Sequence, residues 1–166
     1  MKAENINPFI ESVMDVFESM LECEATMGEL SADAEESTTP DIIGVIGLSG
    51  TAQGIVALRL PVRTALAIIG KMVGTEFRSI DSSIIDGVGE LVNIIAGSAK
   101  ARFKGHSISL SLPTVVRGSI YKLNNLSNTV WLTVPFTSDL GSFFISVCFK
   151  SVTADEKEGI HASVSR

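Results

Sequence analysis

Few side chains in this sequence are placed to do chemistry. Cys23 and Cys148 stand far apart without a C-x-x-C partner, and His106 and His161 have no second histidine at ligand spacing, so a structural zinc site is excluded. Neither cysteine has a base near it in sequence, and both read as buried or strand residues rather than nucleophiles. Gly44, Gly47, Gly50 and Gly54 look like a phosphate cradle, but no Gly-Lys-Ser/Thr ending follows them and the next element is a strand. What remains is an acid and an amide, Glu90 and Asn93, with Asp86 one turn earlier. Residues three apart on a helix are neighbours, within reach of the same incoming group. The spacing alone is a weak signal, since Glu4 and Asn7 repeat it.

The segment that carries them reads as a helix over residues 82–104, ending near Gly105. Turning each residue by about 100° puts Ile84, Val88, Leu91, Val92, Ile95 and Ala99 on one apolar stripe, the core face. Opposite lie Ser83, Asp86, Glu90, Asn93, Gly97, Ala101 and Lys104. Ser83 is available as the helix cap. Asp86 either contacts a partner or favours the first turn through the macrodipole. Gly87, Gly89 and Gly97 each cost roughly 1 kcal/mol relative to alanine inside a helix, so something other than local propensity requires them. Either another helix packs closely here, or a partner's backbone approaches Glu90 and Asn93. Gly87 and Gly97 flank the polar face, which favours a partner; Gly89 serves either purpose.

The remaining elements must hold that helix. Asn7-Pro8 reads as an N-cap followed by proline at the first helical position, with Phe9, Ile10, Val13, Met14, Phe17, Met20 and Leu21 recurring at helical spacing. Residues 22–30 suit a strand, and 31–40 a polar, acidic loop. Runs 41–49 and 54–60 form a hairpin around a four-residue turn at 50–53. Pro61 opens a second helix at its first position, which stops at Gly74. Beyond Gly105 the period becomes two, with Ile108, Leu110 and Leu112 on the buried side of a strand that ends at Pro113. Val130, Leu132, Val134 and Phe136 alternate with Trp131, Thr133 and Pro135, and Pro135 marks an edge or a bulge. Phe143, Ile145, Val147 and Phe149 form the inward face of the last strand, and the polar tail 153–166 is expected to fray. The order predicts one α+β domain over residues 1–166, an antiparallel sheet with long helices packed on one face.

Composition narrows the function. In 166 residues, 45% are hydrophobic and 19% charged, which excludes disorder. A net charge of −6 has the wrong sign for nucleic acid or anionic lipid, and no apolar run approaches the roughly 20 residues that cross a bilayer. The start, Met1-Lys2-Ala3-Glu4-Asn5, leads into an amphipathic segment without an apolar leader. The expectation is a reduced, cytoplasmic protein.

The string Asp86-Gly87-Val88-Gly89-Glu90-Leu91-Val92-Asn93-Ile94-Ile95-Ala96-Gly97 closely resembles the helix signature of the CheC/CheX/FliY phosphatases of bacterial chemotaxis: Ser or Asp, three residues, Glu, two residues, Asn. Pro113 in Leu112-Pro113-Thr114-Val115-Val116 stands for the downstream proline of that signature, fewer residues after Asn93 than usual. Residues 45–54 resemble the family's glycine hairpin. The resemblance covers about residues 7–150, and a single helix motif is most like the CheX branch. It implies a phosphatase acting on the phosphoryl-aspartate of a CheY-like response regulator. Asn93 would orient the attacking water, because an amide both donates and accepts while staying uncharged beside phosphoryl oxygens. Glu90 would dock on the regulator's lysine, with Asp86 and Gly97 in the partner contact. The chain offers no oxygen-ligand cluster for Mg2+, which the regulator would supply. Two other readings stay open: a non-catalytic module of the same fold that docks a receiver domain or assembly partner, and an unrelated small-molecule enzyme using Asp86 and Glu90 as an acid/base pair. Large outward side chains at Trp131 and Phe144 would leave an apolar sheet edge, and the resemblance implies that edge pairing in a homodimer covers it; the alternative is a monomer whose N-terminal helix or 31–40 loop covers them.

Overall fold

A computed structural model of the chain describes residues 5–32, 41–118, 124, 126 and 129–152. The expected loop beyond residue 32 and the tail 153–166 lie outside the described residues. The elements are α1 (Asn7–Leu21), β1 (Thr26–Met27), β2 (Asp41–Gly50), β3 (Ala52–Pro61), α2 (Val62–Val73), α3 (Ser82–Arg102), β4 (Ile108–Leu110), β5 (Thr114–Gly118), β6 (Trp131–Ser138) and β7 (Gly141–Ser151). All strand pairs are antiparallel, in the order β1-β6-β7-β3-β2-β4, with β5 following β4 along the same side of β2.

All three helices lie on one face of the sheet, as the sequence pattern requires. The core there joins Phe9, Val13 and Phe17 of α1, Ile68 and Ile69 of α2, and the predicted stripe of α3 to the inward residues of β2, β3, β6 and β7. Phe17 stacks on Phe143 at 4.7 Å between centroids, and Phe143 on Phe136 at 5.3 Å; each such pair adds about 0.5–1.5 kcal/mol to the gain from burial. Arg102, at the end of α3, forms ion pairs with Glu11 and Asp15 of α1 and donates to the Ser98 carbonyl at 3.1 Å. That clamp fixes the C-terminal end of α3 against α1.

Local details depart from the sequence reading. Asn7 is the first residue of α1, not its cap; Ile6 precedes it without a side-chain cap, and proline alone presets the first turn. Pro61 closes β3 and caps α2 rather than entering it. The strand expected over 22–30 shrinks to Thr26–Met27, supplemented by a bridge from Ser31 to Thr133. Pro135 does sit near an edge: its carbonyl accepts from Gly28 N–H at 2.7 Å, so its missing donor faces the short β1 side, where little pairing is lost.

Two departures matter more. Leu112, expected on the buried side, is 88% exposed. β4 pairs Leu110 with Leu48 and β5 pairs Thr114 with Val45; Ser111, Leu112 and Pro113 therefore stand opposite Ile46 and Gly47 alone, a one-residue bulge that reverses the alternation. Trp131, expected at an exposed edge, is 2% exposed. It pairs with Cys148 of β7 and packs with Ile43 and Ala57 in a second apolar cluster on the face away from the helices, against which Leu126 is packed. Neither α1 nor an unpaired edge accounts for it. Phe144, half-buried, lies under the Arg59 guanidinium at 4.0 Å.

Burial of this indole makes Trp131 a stability determinant. Trp131→Ala should cost about 3–5 kcal/mol in urea unfolding followed by circular dichroism; an unchanged midpoint would contradict the second cluster.

Candidate functional site

Helix α3 starts at Asp81, whose carboxylate accepts from Ile84 N–H at 3.1 Å. Asp81, not Ser83, is therefore the cap, and it satisfies one of the amides left free in the first turn. The predicted core stripe is buried throughout, together with Gly89 and Ala96. On the other side Asp86 and Glu90 are exposed, and Asn93 and Gly97 half-buried. The structure thus brings all four candidate residues onto the uncovered face of one helix, with Asp86, Glu90, Asn93 and Gly97 at successive turns.

The three glycines have different reasons to be there. A Cβ on Gly87 would lie 2.5 Å from Ile69 Cγ2 and within 3.3 Å of two further Ile69 carbons. Gly87 therefore serves the packing of α3 on α2, which corrects the expectation that it admits a partner. A Cβ on Gly89 would meet Pro113 and Val115 at ordinary contact distances of 3.6 and 3.5 Å. Nothing lies within 4 Å of a Cβ on Gly97, so no contact within the described chain requires that glycine. Across the sheet, a Cβ on Gly44 would lie 2.9 Å from Val92 Cγ1; the glycine of β2 lets α3 sit low on the sheet.

The site therefore has a floor and two unequal walls. The floor is the polar face of α3, α2 stands on the Gly87 side, and the Ser111–Pro113 bulge stands on the Gly89 side. Beyond Gly97 an open groove runs between Lys100 and Ala101 on α3 and His106, Ser107 and Ser109 after it. The face is acidic at Asp86 and Glu90 and basic at Lys100, so it is electrostatically divided although the whole chain is acidic. The cysteines lie elsewhere. Burial pushes the Cys23 thiol up, with the Asp139 charge adding and Lys71 opposing, which keeps it protonated at neutral pH. Cys148 is fully buried, its sulfur 2.8 Å from Thr129 Oγ1. The sequence reading missed Asp81 and the outward turn of Leu112; the Leu-Pro pair was visible, but the register that makes it a bulge was not.

Residues 42–137, more than half of the chain, match the family model of the chemotaxis phosphatase CheX. The chain belongs to the CheX family. It is 27% identical over 142 residues to the CheY-P phosphatase CheX of Thermotoga maritima, covering 84% of this chain and 92% of that one. The crystal structure of the chemotaxis protein CheX from Vibrio vulnificus superposes with a TM-score of 0.80 at 28% identity, covering 89% of this chain and all of the other. The CheX of a CheX-CheY-BeF3-Mg complex from Borrelia burgdorferi shares the fold, with a TM-score of 0.70 at 22% identity over 90% of this chain and all of the other. No helix among the described residues is long and apolar enough to cross a membrane.

Helix seating separates the glycines. Gly87→Ala should lose about 1–3 kcal/mol through overpacking, whereas Gly97→Ala should gain up to about 1 kcal/mol from helix propensity. Equal shifts of both in urea titrations would contradict this seating of α3.

Proposed function

We propose that this CheX family member is a phosphatase that hydrolyses the phosphoryl-aspartate of a CheY-like response regulator, acting in the cytoplasm as one domain of residues 1–166. The observation that carries the reading is the presentation of Glu90 and Asn93 at adjacent turns on the uncovered face of a helix whose other sides are fixed by Gly44, Gly87 and Arg102. Receiver domains hold their phosphoryl group at the surface, and a rigid helix face can be laid against it.

Asn93 has the chemistry to act on water. Its amide oxygen accepts a hydrogen bond from a water molecule in line with phosphorus, while its NH2 donates to a phosphoryl oxygen without adding negative charge. A carboxylate there would repel the phosphoryl group. Glu90, one turn earlier, suits the regulator's lysine, and an ion pair across the contact sets the register in which Asn93 meets the phosphorus. Asp86 extends the acidic end of the face, and Gly97 keeps it low for the partner's backbone. Among the described residues no three His, Cys, Asp or Glu side chains gather as metal ligands. In this reading Mg2+ comes with the regulator, where it neutralises phosphoryl charge, as the partner named in the Borrelia burgdorferi complex supports.

The homodimer also remains a proposal, resting on the resemblance to CheX and on sheet edges rather than on Trp131. Light scattering at micromolar concentration should give twice 17.6 kDa; a mass near one protomer rejects it.

Phosphate release from a phosphorylated CheY-like regulator tests the mechanism. Asn93→Ala should leave folding intact and lower the rate about a hundredfold. Glu90→Ala should weaken docking more than turnover, and Glu90→Lys should be worse than alanine through like-charge repulsion. Full turnover by Asn93→Ala would sink the water-positioning role, and equal tolerance of Lys and Ala would mean that Glu90 faces no cation.

A further inference from the structure

The bulge between β4 and β5 does more than absorb an extra residue. Ser111 N–H donates to the Gly47 carbonyl at 2.9 Å, and Gly47 N–H donates to Ser111 Oγ at 2.9 Å. The same hydroxyl donates to the Leu112 carbonyl at 2.8 Å. The fixed ring of Pro113 follows, its Cγ 3.6 Å from where a Cβ on Gly89 of α3 would lie. Leu112 is therefore flanked by Ser111, which is bonded to β2, and by the fixed ring of Pro113, yet its side chain is 88% exposed. Scattered exposed leucines are ordinary; one aimed outward by a pinned bulge, at the rim of a candidate site, is not. Such a side chain loses little further backbone freedom when a partner covers it.

Its position relative to the site follows from helix geometry. At about 100° per residue, Asn93 lies about 40° around α3 from Gly89, Asp86 about 60°, Gly97 about 80° and Glu90 about 100°, all turned the same way. Gly89 is thus one turn from both Asp86 and Asn93, and the Pro113 wall borders that stretch of the face. Leu112, next to Pro113 in the chain, stands at the border of the same stretch.

We propose that Leu112 is a docking residue for the phosphorylated receiver domain, packing on an apolar patch that borders its phosphorylated aspartate. This rests on the phosphatase function proposed above. Glu90 and Leu112 then grip the partner on either side of Asn93, one by charge and one by apolar contact, and the bulge is the device that aims the second.

The test is steady-state phosphate release by the full chain from a CheY-like receiver phosphorylated by a small-molecule donor. Leu112→Asp should raise KM about tenfold or more with kcat retained, and Leu112→Met should stay within about threefold of the unsubstituted chain. The melting temperature should not change, because the side chain contacts solvent. Unchanged KM in Leu112→Asp, with the unsubstituted chain active, overturns this inference and leaves the phosphatase reading standing; so does a loss confined to kcat. A halved mass of Leu112→Asp in light scattering assigns the residue to a contact between copies and likewise overturns it. An unsubstituted chain that neither binds nor dephosphorylates the receiver overturns both.

Discussion

Helix α3 can offer an acid and an amide to a partner only if its opposite side comes into contact with the sheet and with α2, and two missing side chains set those distances. Gly44 on β2 leaves room for Val92, and Gly87 on α3 leaves room for Ile69 of α2. Any larger residue at either place would lift or rotate the helix, and rotation by one residue carries Glu90 and Asn93 about 100° away from the open face. Packed interiors transmit such shifts rather than absorbing them. The Arg102 clamp on Glu11 and Asp15 and the Asp81 cap hold the two ends of the same helix.

The strand edge beside α3 answers to a different constraint. A strict alternation through Ile108, Leu110 and Leu112 would bury all three, and Ile46 is the inward neighbour that Leu112 would join. Instead the register between β2 and its two short partners slips by one residue at Ser111–Pro113. The slip turns Leu112 outward and restores Val115 to the side of α3. One inserted residue thus exchanges a core contact for a surface one beside the candidate site.

The far face of the sheet is a second, smaller core. Trp131, Ile43, Ala57 and Cys148 belong to three different strand pairings, and Leu126 packs on them from outside the named strands. An outward aromatic on a strand is therefore no sign of an open edge here. It marks a sheet covered on both faces over part of its width, and this removes the argument that tied oligomerisation to Trp131.

Much of this protein was determined locally. The seven-residue recurrence of apolar positions fixed the buried stripe of α3, because a 3.6-residue period leaves one face for the core and one for solvent, and the same arithmetic placed Glu90 beside Asn93. Alternation fixed the inward faces of β6 and β7, except that Val130, ahead of β6, is 45% exposed, and Gly74 ended α2 in the left-handed conformation expected of it. The reason for each glycine in α3 was not legible: the helical period set Gly87 and Gly97 alike beside the polar face, and only the neighbour brought by α2 distinguishes packing at the first from open surface at the second. Pairing register was equally hidden, since a bulge is a relation between two strands and has no signature in one. The sequence by itself determined which residues share a face; the tertiary structure decided what each face meets, because contact distances between elements far apart in the chain depend on the volumes of both partners.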